Sequence, residues 1–84
     1  MFDYVFTFRS LTPAQSARSV LAVEGLPASL ERAPKRLSAQ GCGYVLRVGS
    51  GGAMRALSVF RGRGVAFGHL YRLFHNGAVE EVRV

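Results

Sequence analysis

YVLRVGSGGAMRALSVF, running from Tyr44 to Phe60, switches from a strand pattern to a helix pattern within one short stretch. Tyr44-Val45-Leu46-Arg47-Val48 reads as a strand. Gly49-Ser50-Gly51-Gly52 reads as a flexible turn. Beyond it, Ala53, Ala56, Leu57 and Phe60 recur at helical spacing and form one apolar face. The N-terminal segment echoes this order. Tyr4-Val5-Phe6-Thr7-Phe8 is aromatic and β-branched with period-2 character, as a strand requires. Thr12-Pro13-Ala14-Gln15 carries a helix-start pattern: a capping hydroxyl, a proline suited to the first turn, and a capping-box glutamine. Ala14, Ala17, Val20 and Leu21 give the buried stripe, and Gly25 is the natural stop.

Each half runs on into another strand, Ala28–Arg32 in the first and Gly68–His75 in the second, where Gly62 and Gly64 end the preceding helix. Pro34 to Gly43 joins the halves as a polar connection. Asn76-Gly77 signals a tight turn, after which Val79–Val84 pairs back as a hairpin strand. The order β-α-β-β-α-β plus a short C-terminal strand predicts an α+β fold. Its expected form is a ferredoxin-like split βαβ two-layer sandwich, with two helices on one face of an antiparallel sheet. Residues 1–84 form a single domain in this reading.

Composition narrows the function. The chain has 84 residues, 49% apolar and 19% charged, which excludes a disordered segment and leaves room for one thin core. No apolar run approaches the ~20 residues that span a bilayer, and the start lacks a secretory leader pattern, so the expected location is the cytoplasm. Eleven basic residues face five acidic ones, for a net charge of +6. From Arg32 to Val79 there are eight basic residues and no carboxylate side chain. Such a stretch draws anions: phosphate, nucleic acid, an acidic partner surface, or a thiolate of the protein's own.

Cys42 is the only cysteine, so neither an internal disulfide nor an all-cysteine zinc site can form. It stands between Gly41 and Gly43 at the entry to a strand, where the glycines leave a thiol uncrowded. Lys35, Arg36 and Arg47 are near in sequence. If near in space, they favour the nucleophilic thiolate, and a helical turn over Lys35–Gly41 would add its amide dipoles. With no resolving cysteine, the thiol could form only mixed disulfides, persulfides or adducts. The opposing reading makes Cys42 a small buried hydrophobe with no chemistry.

Tyr4 to Ser10, Glu24-Gly25-Leu26-Pro27, Pro34, Leu37-Ser38, Cys42-Gly43 and Tyr44 to Val48 together resemble the selenium/sulfur carrier protein-like family of small bacterial domains. The likeness is closest over residues 4–48 and continues by pattern beyond. Lys35, followed by Arg36, stands where the family usually has an arginine after the proline. The resemblance implies a thiol-based carrier, with Cys42 as the acceptor of sulfur or selenium and protein donors and acceptors as partners. It implies a co-substrate protein more than a turnover enzyme. The candidate site is therefore Cys42 as the reacting residue, with Lys35, Arg36, Gly41, Gly43 and Arg47 as an anion-binding surround and with no metal or cofactor.

Other motifs point less sharply. His69 and His75 lie six apart on one expected strand, ~20 Å from each other, too far to share a metal ion. Arg61-Gly62-Arg63-Gly64 and Gly49-Ser50-Gly51-Gly52 read as loops, the latter lacking any nucleotide-binding fingerprint. Two further classes compete with the carrier. One is an accessory domain that binds a partner or an anion without covalent chemistry. The other is a nucleic-acid-binding module, supported by charge and topology but without the aromatic RNP pattern. The thin core and a terminal strand edge also predict a homodimer or a protein partner.

Overall fold

Val5 to Phe8 are buried on both sides, which places the first strand in the middle of the molecule. β1 (Phe2–Phe8) pairs antiparallel with β3 (Tyr44–Val48) on one side and with β4 (Leu70–Phe74) on the other. β2 (Ser29–Arg32) adds outside β3, and β5 (Val79–Val82) adds outside β4. The five-stranded antiparallel sheet has the order β2-β3-β1-β4-β5. β1 and β2 therefore run the same way, with β3 between them. The computed structural model describes every residue except Gln40 and Cys42.

Two helices cover one face. α1 (Leu11–Val23) presents Ala14, Ala17 and Leu21, and α3 (Ala53–Arg63) presents Ala53, Ala56, Leu57 and Phe60. They pack on Phe6, Phe8, Leu46, Val48 and Leu70, alternate residues of three strands. Phe6 anchors this layer. Its ring meets Phe60 and Phe67 edge-on at 4.9 and 5.0 Å between centroids, a favourable aromatic geometry. The small Ala14, Ala17 and Ala56 let the helices lie close to the sheet.

Both helices end alike. The amides of Gly25 and Leu26 donate to the carbonyls of Ala22 and Leu21, and those of Gly64 and Val65 donate to Arg61 and Phe60. This double hydrogen bond needs a left-handed residue, supplied by Gly25 (φ 74°) and Gly64 (φ 67°). The start of α1 differs from expectation. Its N-cap is Ser10 and its first residue is Leu11, so Thr12 lies inside the first turn. Pro13 falls within the first turn, where a missing N–H costs nothing, so it does not mark the helix start.

The segment expected as a polar connection contains a third helix, α2 (Lys35–Ser38), on the opposite sheet face. Pro34 caps its start. Leu37, fully buried, enters a second core with Val5, Val45, Tyr71 and Leu73, the alternate residues of β1, β3 and β4. Both faces of the sheet are thus partly covered. β4 and β5 form the expected hairpin: Phe74 and Ala78 close it, and Gly77 takes the left-handed conformation (φ 87°). His75 lies in that turn and not on β4. Among the described residues no helix is long and apolar enough to cross a membrane.

Candidate functional site

The amide of Ala33 donates to the carbonyl of Gly43 at 3.1 Å, extending the β2–β3 ladder by one more bond. Ala33 and Gly43 are thereby tied together, and α2 begins two residues after Ala33. α2 lies on the second sheet face and is pinned there by Leu37. Ser38 and Ala39 donate backbone N–H groups to Pro34 and Lys35, and the Gly41 amide donates to Ser38 at 3.0 Å. Gly41 has φ 91°, which glycine adopts without strain. Cys42 itself lies outside the described residues.

Gly43 is required by contact. Its amide donates to the Phe8 carbonyl at 3.0 Å, and a Cβ built on it would lie 2.8 Å from the carbonyl oxygen of Arg9. No side chain fits that approach unless the backbone moves. The two glycines around Cys42 thus do different work: Gly41 permits a turn, and Gly43 permits close contact with the end of β1.

The expected surround divides. Lys35 and Arg36 are exposed on α2, and neither forms an ion pair among the described residues. Arg47 is placed differently. It lies four residues beyond Gly43 along β3, ~13 Å at the usual strand rise. Its Nε and Nη2 both bond Glu31 at 2.9 Å, and its Nη1 bonds Asp3 at 3.2 Å. The hydrogen bonds from Arg47 hold the Glu31 carboxyl below its ordinary range, and Glu31 in turn raises the Arg47 guanidinium. Arg47 therefore ties β1, β2 and β3 together. It borders a shallow groove with Pro34, Leu73 and His75, on the side of α2 where the helix begins.

The remaining carboxylates are also engaged. Glu24 pairs with Arg63, Glu80 with Arg72 at 2.7 Å, and Glu81 with His69 Nδ1 at 3.0 Å. All five acidic side chains thus have cationic or imidazole partners, while cations remain over. Two of those lie beside Gly43 and were not apparent as site residues in the sequence. Arg9 follows the last residue of β1, and Arg32 ends β2 in register with Tyr44, with its guanidinium 5.7 Å over the Tyr44 ring. Only strand register puts them next to Gly43, since they lie 34 and 11 positions away in the chain.

On the far side of β1, Thr7 is fully buried yet satisfied. Its Oγ1 accepts from the His69 amide at 2.8 Å, and its backbone oxygen accepts from Gly68 at 2.7 Å. A Cβ on Gly68 would meet Thr7 Oγ1 at 2.7 Å. His69 is thereby fixed at the start of β4, with its ring 6.1 Å from Tyr71. Among the described residues no group of three or more His, Cys, Asp or Glu side chains could hold a metal ion.

The architecture is that of a small α+β domain with a five-stranded antiparallel sheet and three helices. Comparison with known families matches residues 3–72, 70 of the 84 positions, to the family described as "Putative Se/S carrier protein-like". The chain belongs to that family. A search of curated proteins and of solved structures found no match.

Proposed function

We propose that this protein is a thiol-based carrier in which Cys42 takes up sulfur or selenium from a donor protein and hands it to an acceptor. The observation that carries the reading is the family match, which spans Cys42 and both glycines beside it. Supporting it are the absence of a second cysteine that could discharge the cargo internally and the exposed Lys35 and Arg36 nearby in sequence, which form no ion pair among the described residues. In the sulfur case the Cys42 thiolate attacks the outer sulfur of a donor persulfide. The donor S–S bond breaks, its cysteine leaves as thiolate, and the outer sulfur ends bonded to Cys42 as a new persulfide. No external oxidant or reductant enters, because the transferred atom keeps its oxidation state. Transfer onward repeats the step with the roles exchanged, so the protein is a co-substrate and not a turnover enzyme.

Lys35 and Arg36 contribute by favouring the thiolate and the anionic persulfide. Arg47, held by two carboxylates, serves the sheet. The strand order, with β3 between the parallel β1 and β2, supports reading the domain as a ferredoxin-like split βαβ sandwich extended by β5. The carrier acts in the cytoplasm, where thiols stay reduced.

The test is intact mass under non-reducing conditions after mixing with a cysteine desulfurase and cysteine. The expected result is a gain of one sulfur atom, reversed by reductant and absent in Cys42→Ala. No gain, together with a thiol that alkylates slowly, would make Cys42 structural and the protein an accessory domain.

A further inference from the structure

The charge of this protein is sorted in space. Its five acidic side chains are each engaged, and four cations without a carboxylate partner among the described residues belong to segments whose backbone adjoins or follows that of Gly43's partners. Arg9 continues from β1, whose last residue accepts the Gly43 amide. Arg32 precedes Ala33, whose amide donates to the Gly43 carbonyl. Lys35 and Arg36 follow on α2, and all four residues are exposed. Three separate segments thus bring positive charge to one end of the sheet, and none of it is paired with a carboxylate among the described residues.

We infer that this end is a docking surface for an acidic face of a partner protein; that the partner is the donor or acceptor rests on the carrier reading above. A nucleic acid fits less well. Single-stranded ligands are held by stacking bases on exposed rings as much as by charge. None of the nine aromatic side chains is exposed, and the one nearest Gly43, Tyr44, already has the Arg32 guanidinium over its face. A carboxylate-bearing protein surface needs only the cations. The same field would bring the partner in quickly at low salt and release it as salt rises.

Fluorescence anisotropy with a labelled oligoglutamate peptide tests this, using the Cys42→Ala protein so that thiol chemistry plays no part. Binding should weaken as sodium chloride is raised. The double variant Lys35→Gln/Arg36→Gln should weaken it about fivefold to tenfold, as should Arg9→Gln/Arg32→Gln. Removing the same number of charges from the helical face, with Arg18→Gln/Arg61→Gln, should change it less than about twofold. Should Arg32→Gln unfold the protein, the exposed α2 pair still decides the matter. No peptide binding at low salt, an equal loss from the helical-face variant, or tighter binding of an oligouridylate than of the peptide would each overturn the inference. A persulfide on Cys42 with no peptide binding would leave the carrier standing and remove only the docking surface.

Discussion

Leu37→Ala is the sharpest test of how α2 is held against the sheet. Leu37 is the one buried residue of α2, a four-residue helix that could not persist alone in water. Truncation removes three carbons from a site sealed by Val5, Val45, Tyr71 and Leu73. At about 0.8 kcal/mol per buried methylene the transfer loss is about 2.4 kcal/mol, and an unfilled cavity adds to it. The expected destabilisation is therefore about 2.5–4 kcal/mol, or a Tm lower by at least ~10 °C for a domain of this size. Urea unfolding followed by circular dichroism gives the first figure, and a thermal scan gives the second. Hydrogen exchange adds the local readout: the amides of Ser38, Ala39 and Gly41 should lose protection before those of β1. Met54→Ala, at a half-exposed site on α3, should change stability by less than ~0.5 kcal/mol. A Leu37→Ala loss below ~1 kcal/mol would refute the anchoring role and leave α2 loosely attached.

Gly43→Ala should cost about 1–3 kcal/mol by calorimetry, because the new methyl meets the Arg9 carbonyl oxygen at 2.8 Å; a neutral result would show that the end of β1 gives way. Glu31→Gln tests the strap made by Arg47. Since the folded-state pKa of Glu31 is lowered, its contribution is present above the ordinary carboxylate range and is lost as pH falls through the folded value. The variant should be less stable than the parent near pH 7 by up to ~1 kcal/mol, discounted for a side chain about one-third exposed, and the gap should close as pH falls below the ordinary carboxylate range. A gap independent of pH would point to packing instead. Thr7→Val keeps the shape but removes the acceptor for the His69 amide, so a loss of about 1 kcal/mol and faster exchange of that amide are expected; unchanged exchange would mean that water replaces the hydroxyl.

The parts of the fold that follow from local periodicity were readable. Ala53, Ala56, Leu57 and Phe60 are all buried on α3, and Gly25 and Gly64 end their helices because left-handed geometry is cheap only for glycine. For α2 the sequence offers only the conditional helical turn from Lys35, since four residues show no period; the turn forms over Lys35–Ser38, where tertiary packing receives Leu37. The start of α1 was read two residues late, because a proline fits any position of the first turn. At the candidate site, Lys35 and Arg36 are nominated by their nearness to Cys42 in the chain, and both are exposed on α2. The fate of Arg47 does not follow from nearness in the chain, since Asp3 lies 44 residues away and reaches it only through strand register. Arg9 and Arg32 were overlooked for the same reason.

The family match stops at Arg72, in the middle of β4, whereas β5 lies wholly beyond it. Without β5, the outer strand on that side would be Leu70-Tyr71-Arg72-Leu73-Phe74, a mostly apolar run with its backbone donors and acceptors open to any passing chain. β5 replaces that border with Val79-Glu80-Glu81-Val82, whose two central carboxylates are engaged by Arg72 and His69. The outer border of the sheet on that side is therefore a short, charged strand in place of an apolar one, a poorer template for another chain.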